Sequence, residues 1–148
     1  FGFPNYVEEV LFKIQVQGIT PVLAHPERLE LFQMDPEVLF RLVERGMITQ
    51  VTAGSVTGHF GSKVKRLTES LLRRDLVHVL ASDTHFPTGP RSPELASGML
   101  AAANIVGQDK ARYMVVDTPR TIINGGIIKT DSPLPRDPAR RWWSLRRN

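Results

Sequence analysis

The stretch Asp75-Leu76-Val77-His78-Val79-Leu80-Ala81-Ser82-Asp83-Thr84-His85 sets the reading of the whole chain. Its centre, Val77–Ser82, is short, apolar and rich in β-branched residues, as a buried strand is. Two other segments have the same character, Ile19–Ala24 and Ile48–Ala53. The three begin at Ile19, Ile48 and Val77, 29 residues apart in both intervals. That is the size of one βα unit, and it implies parallel strands joined by helices.

The segments between them carry helix signals. A first helix is expected from about Tyr6 to Gln17, with Asn5 as N-cap and Gly18 beyond its end. A second has Asp35 as N-cap, Pro36 at its first position and Gly46 as its stop. A third spans Ser62 to Arg74, with Val64, Leu67, Leu71 and Leu72 on one face. Further helices are expected over Pro93–Val106 and Gln108–Val115. Asp117-Thr118-Pro119-Arg120 reads as a turn into a short helix that ends at Asn124-Gly125-Gly126.

The fold class is therefore α/β. Three parallel strands are few for a closed layer, and left open they expose an edge and an apolar face. The segment reads as the second half of a larger (β/α) barrel, with the first strands upstream of Phe1. The start at Phe1 likewise reads as a cut. Residues 1–130 are expected to form this partial barrel domain. Residues 131–148 are expected to be a flexible, basic, Pro/Arg-rich tail.

Composition narrows the chemistry. The 148 residues are 41% hydrophobic and 23% charged, an ordinary globular balance. There is no cysteine, which removes disulfides, thiolate nucleophiles and Cys-based zinc sites. Any metal must be held by His, Asp and Glu. No run of apolar residues is long enough to span a membrane, and a cytoplasmic location is expected. Five arginines against two aspartates give residues 131–148 a net +3 of the chain's +4. Trp142 and Trp143 lie among these arginines, a pattern that can bind nucleic acid or anionic lipid. Such a terminus is more often solvated, and no nucleic-acid partner is expected.

In parallel α/β folds the chemistry lies at the carboxyl ends of the strands. His25 ends the first strand, Thr52-Ala53-Gly54-Ser55 the second, and Asp83 with His85 the third. Positions i and i+2 at a strand end point the same way, so Asp83 and His85 can reach one site. A carboxylate and imidazoles suit Mn²⁺, Zn²⁺ or Fe²⁺. Arg28 and Arg91 lie in the loops that follow and match phosphate oxygens. Gly54, Ser55 and Gly58 read as a simple βα turn. His78 reads as a packed histidine, and Glu27 as either a carboxylate behind the site or a solvent-facing one.

Gly18-Ile-Thr-Pro-Val-Leu-Ala-His-Pro-Glu-Arg28 and Asp75–His85 together resemble the bacterial manganese-dependent tyrosine-protein phosphatases. These belong to the polymerase-and-histidinol-phosphatase (PHP) superfamily. Ile48–Ser55 and Asp117–Arg120 also look like family segments, and the resemblance covers about residues 1–125. It implies a distorted (β/α)7 PHP-type barrel with a cluster of two or three Mn²⁺ ions. It implies His25, Asp83 and His85 as metal ligands, Arg28 as a phosphate-binding arginine and Arg91 as a second one. It also implies a phosphotyrosine-bearing bacterial tyrosine kinase as substrate, in the regulation of capsule or exopolysaccharide. The family's early His-x-His strand and further Glu ligands have no counterpart here, so this chain alone cannot complete the cluster and is expected to be inactive. Two other readings stand beside this one: a phosphatase of a small molecule such as histidinol phosphate, and a truncated, non-catalytic binding product.

Overall fold

The computed structural model describes residues 5–88, 92–128, 130 and 132–135. Three strands form one parallel sheet in the order β1-β2-β3: β1 Val22–Ala24, β2 Ile48–Thr52 and β3 Val79–Ala81. The register pairs Ala24 with Gln50 and Thr52 with Ala81, so all three carboxyl ends lie at one edge of the layer. The helices are α1 Asn5–Val16, α2 Glu30–Met34, α3 Pro36–Glu44, α4 Ala53–Thr57, α5 Ser62–Arg73, α6 Ala96–Val106, α7 Gln108–Arg112 and α8 Thr118–Ile123.

The strands are shorter than their apolar runs suggest. Pro21 has no N–H to give the ladder, and only its carbonyl joins, accepting from Ile48 N–H. At the third strand His78 still donates its N–H to Thr49 O, but regular pairing starts one residue later. Helix signals served better. Asp35 caps α3 by accepting from Glu37 N–H, and Pro36 takes the first position. Val38, Leu39, Leu42 and Val43 form its buried face. Val64, Thr68, Leu71 and Leu72 do the same for α5. These faces close on Val51, Leu76 and Leu80 to make the core.

Three expectations are corrected. The helix expected from Pro93 begins at Ala96, where Glu94 accepts from Ser97 N–H. Ala53–Thr57 is a helical turn, not a loop, because Gly58 and His59 both donate their N–H to Gly54 O. Asp117 is helical rather than a turn: Tyr113–Asp117 is a π-helical stretch joining α7 to α8. Pro119 is tolerated because it sits in the first turn of α8.

Among the described residues β1 and β3 each pair on one side only. Phe12 and Val16 of α1, Ile19 before β1 and Val22 in it are exposed.

Candidate active site

The residues after β1 make a tight turn. His25 adopts the left-handed conformation, φ 42 and ψ 48, and Pro26–Arg28 form one turn of 3-10 helix. Asp83, the second residue after β3, is also left-handed, at φ 53. Non-glycine residues there carry roughly 1–3 kcal/mol of strain each, less for Asp, and such strain gathers at functional sites.

Arg28 joins the two strand ends. Its Nη1 donates to Asp83 Oδ2 at 2.7 Å. Its guanidinium lies over the Phe60 ring, 4.7 Å from the centroid. The pair is only partly exposed, so the charge is presented at the surface on a fixed aromatic support. His85 sits farther out and is about half exposed. Its Nδ1 lies 2.7 Å from Asp83 O. A carbonyl only accepts, so that nitrogen carries the proton and the ring's lone pair is on Nε2.

Beneath Arg28 lies a group that the sequence left open. Glu27 is fully buried. Its Oε1 accepts from Thr52 N–H at 3.0 Å and from Ser55 Oγ–H at 2.6 Å. Burial pushes the Glu27 carboxyl upward, while the Ser55 hydroxyl, backbone N–H groups and nearby His25 pull the other way. Its second oxygen, Oε2, and His25 Nδ1 are buried without a hydrogen-bond partner among the described residues. The solvent-facing alternative for Glu27 is thereby excluded.

His25, Arg28, Asp83 and His85 thus lie at the carboxyl ends of β1 and β3, linked by the Arg28–Asp83 pair. They do not form a closed metal cluster. Among the described residues no group of three or more His, Cys, Asp or Glu side chains is placed to hold a metal ion. The donor set still suits a divalent transition metal: imidazoles, one carboxylate, and a buried His25 nitrogen that no described residue bonds. Arg91 lies outside the described residues. Phe60 and the Glu27 brace were missed because only the folded contacts reveal them. The one available hint was a carboxylate two residues from a candidate ligand.

The sequence pattern of a family described as "Capsular polysaccharide synthesis, CpsB/CapC" matches residues 4–124. The chain belongs to the CpsB/CapC family. It is 36% identical over 123 residues to the tyrosine-protein phosphatase CpsB of Streptococcus pneumoniae, covering 80% of this chain and 50% of that one. It is 40% identical over 82 residues to the tyrosine-protein phosphatase YwqE of Bacillus subtilis, 55% of this chain and 32% of that one. A crystal structure from work on YwqE and CpsB, described as "unique metal-dependent tyrosine phosphatases", superposes with a TM-score of 0.84 at 30% identity. It covers 93% of this chain and 55% of that one. The α/β arrangement of this CpsB/CapC chain, a small parallel sheet among many helices, is that of the solved structure. The chain spans about half the length of these relatives.

Proposed function

We propose that this chain supplies the carboxyl-terminal half of a metal-dependent tyrosine-protein phosphatase of the capsule type, built on a distorted (β/α)7 PHP-type barrel. The observation that carries the reading is the Arg28–Asp83 contact, which joins a phosphate-type arginine and a metal-type carboxylate from two strand ends. Among the described residues β1 and β3 pair on one side only, and Phe12, Val16 and Val22 are exposed, which supports a fold completed by further strands.

In this reading His25, Asp83 and His85 would help to hold a manganese cluster of two or three ions. The remaining ligands come from the other half of the protein. Such a cluster, when bound, would supply Lewis acidity and a water of lowered pKa. Arg28 binds the phosphoryl oxygens and offsets charge as it develops, held at its height by Phe60. Arg91 gives a second fork to the same group. The chain has no cysteine, so it offers no thiolate to form a covalent phosphoenzyme. The substrate is the phosphotyrosine tail of a bacterial tyrosine kinase, and the protein works in the cytoplasm.

The test is His85→Ala in the full-length protein, assayed on a phosphotyrosine peptide with manganese. Turnover should fall below detection, and near-normal turnover would sink the assignment. Histidinol phosphate in the same assay separates a small-molecule phosphatase from a protein phosphatase.

A further inference from the structure

We infer that Glu27 is a positioning residue of this site: through Oε1 alone it ties the turn after β1 to the end of β2, and so aims His25 and Arg28, which flank it. The inference rests on the phosphatase reading above.

The geometry is specific. Glu27 is one of the few charged residues that the fold buries completely. Burying a carboxylate is costly unless hydrogen bonds replace water. Both of its donors come from one place, the β2–α4 junction: Thr52 N–H and Ser55 Oγ–H, themselves buried. The turn is held from the other side as well, where Gln33 Nε2 donates to Glu27 O at 3.1 Å. His25 sits two residues back in a left-handed conformation that its neighbours must enforce. Arg28 is the next residue, and its reach to Asp83 is set by where Glu27 is pinned. Outer groups that orient a site's side chains typically matter by 10–100-fold in affinity or rate.

The role of Oε1 gives an unusual test. A glutamine can place its carbonyl oxygen at Oε1 and keep both hydrogen bonds. In the full-length phosphatase, Glu27→Ala should lower kcat by about 10–100-fold, with a matching loss in manganese affinity measured by calorimetry. Glu27→Gln should retain both to within about threefold. Ser55→Ala, which removes one donor and keeps the carboxylate, should fall between the two even if Glu27→Ala fails to fold. Two results would overturn the inference. One is a folded Glu27→Ala or Ser55→Ala protein with unchanged kcat and manganese affinity, which would make the bonds merely structural. The other is Glu27→Gln folded but as impaired as Glu27→Ala, which would mean that the charge or Oε2 acts directly. If the parent protein itself shows no metal-dependent hydrolysis of phosphotyrosine, the phosphatase reading has failed instead.

Discussion

The two ends of the sheet treat polar groups differently. At the amino end charges are neutralised in couples. Arg74 holds Glu37 through two nitrogens, at 2.8 and 3.0 Å, and lies over Phe40. Lys110 holds Asp75 at 2.6 Å. His78 is buried, and its Nδ1 accepts from Thr49 N–H. At the carboxyl end Glu27 is fully buried, Arg28 and Asp83 are partly exposed, and His25 and Asp83 share the left-handed backbone that Asp75 adopts at the amino end. Arg28 holds Asp83, and a buried oxygen of Glu27 and a buried nitrogen of His25 have no hydrogen-bond partner among the described residues. The amino-end groups hold the fold together, and the carboxyl end gathers the residues proposed above for the site. The contrast is one of degree, since His78 Nε2 is also buried without a partner among the described residues.

The sharpest way to break this comparison is Asp83→Asn. In the full-length protein, hydrolysis should fall by more than the roughly 10–100-fold that outer groups control. In the metal-free 148-residue chain the same change should act in the opposite direction. It removes the carboxylate that Arg28 now holds, so inorganic phosphate should bind more tightly. The pair is partly exposed, and the gain should be about 1 kcal/mol, or roughly fivefold in Kd. Phosphorus NMR titration reads it directly. Unchanged or weaker phosphate binding would show that Arg28 is a structural group, like Arg74.

The amino end should announce itself through acid. Burial, and then the nearby Lys110, lower the His78 pKa from 6.5 to about 4, while Asp75 acts against them. The unfolded chain therefore takes up this proton before the folded one. Stability is full above about pH 6.5, is lost as pH falls, and levels off below about 4. The loss should approach about 3 kcal/mol at most. His78→Asn keeps an acceptor for Thr49 N–H and cannot titrate. Its urea midpoint should change less than that of the parent between pH 7 and 4.5; parallel losses would remove His78 from the account.

A smaller effect should come from the packing behind the carboxyl end. A Cβ at Gly98 would lie 2.5 Å from Ala53 Cβ and 2.8 Å from Ala53 Cα. Gly98→Ala should destabilise by about 1–3 kcal/mol through overpacking of α6 on α4. Adding Ala53→Gly should return much of that, and an unrelieved double variant would place the strain elsewhere.

Much of this architecture was legible in the chain. Three apolar runs at a βα interval, with Asp35-Pro36 and Gly46 around a helix, predict parallel strands and most of the helices. The strand ends named His25, Arg28, Asp83 and His85 as candidates, and the structure brings Arg28 and Asp83 into contact. What stayed hidden depends on contacts between distant residues. Phe60 under Arg28 and Ser55 on Glu27 are long-range juxtapositions with no local signature. Ala53–Thr57 looked like a loop because Gly and Ser favour turns, and tertiary packing overrode that preference. Asp117-Thr118-Pro119-Arg120 read as a turn because a π-helical join before it has no simple periodicity.

The smallest expected effect concerns the segment after Thr130, and it tests whether the amino end is purely structural. Leu134 N–H donates to Arg74 O at 2.8 Å, and Arg74 Nε donates to Leu134 O at 3.1 Å. Both bonds lie at the carboxyl end of α5, beside the amino end of β3 and away from Arg28. Deleting residues 131–148 removes them, while Arg74 keeps Glu37 and the Phe40 ring. The net worth of such bonds is about 1 kcal/mol, because water replaces them at a surface. Thermal unfolding should shift down by about 3 °C. Turnover on a phosphotyrosine peptide should not change in the full-length protein. A large loss of turnover would instead tie this segment to the catalytic end, and the division between the two ends of the sheet would no longer hold.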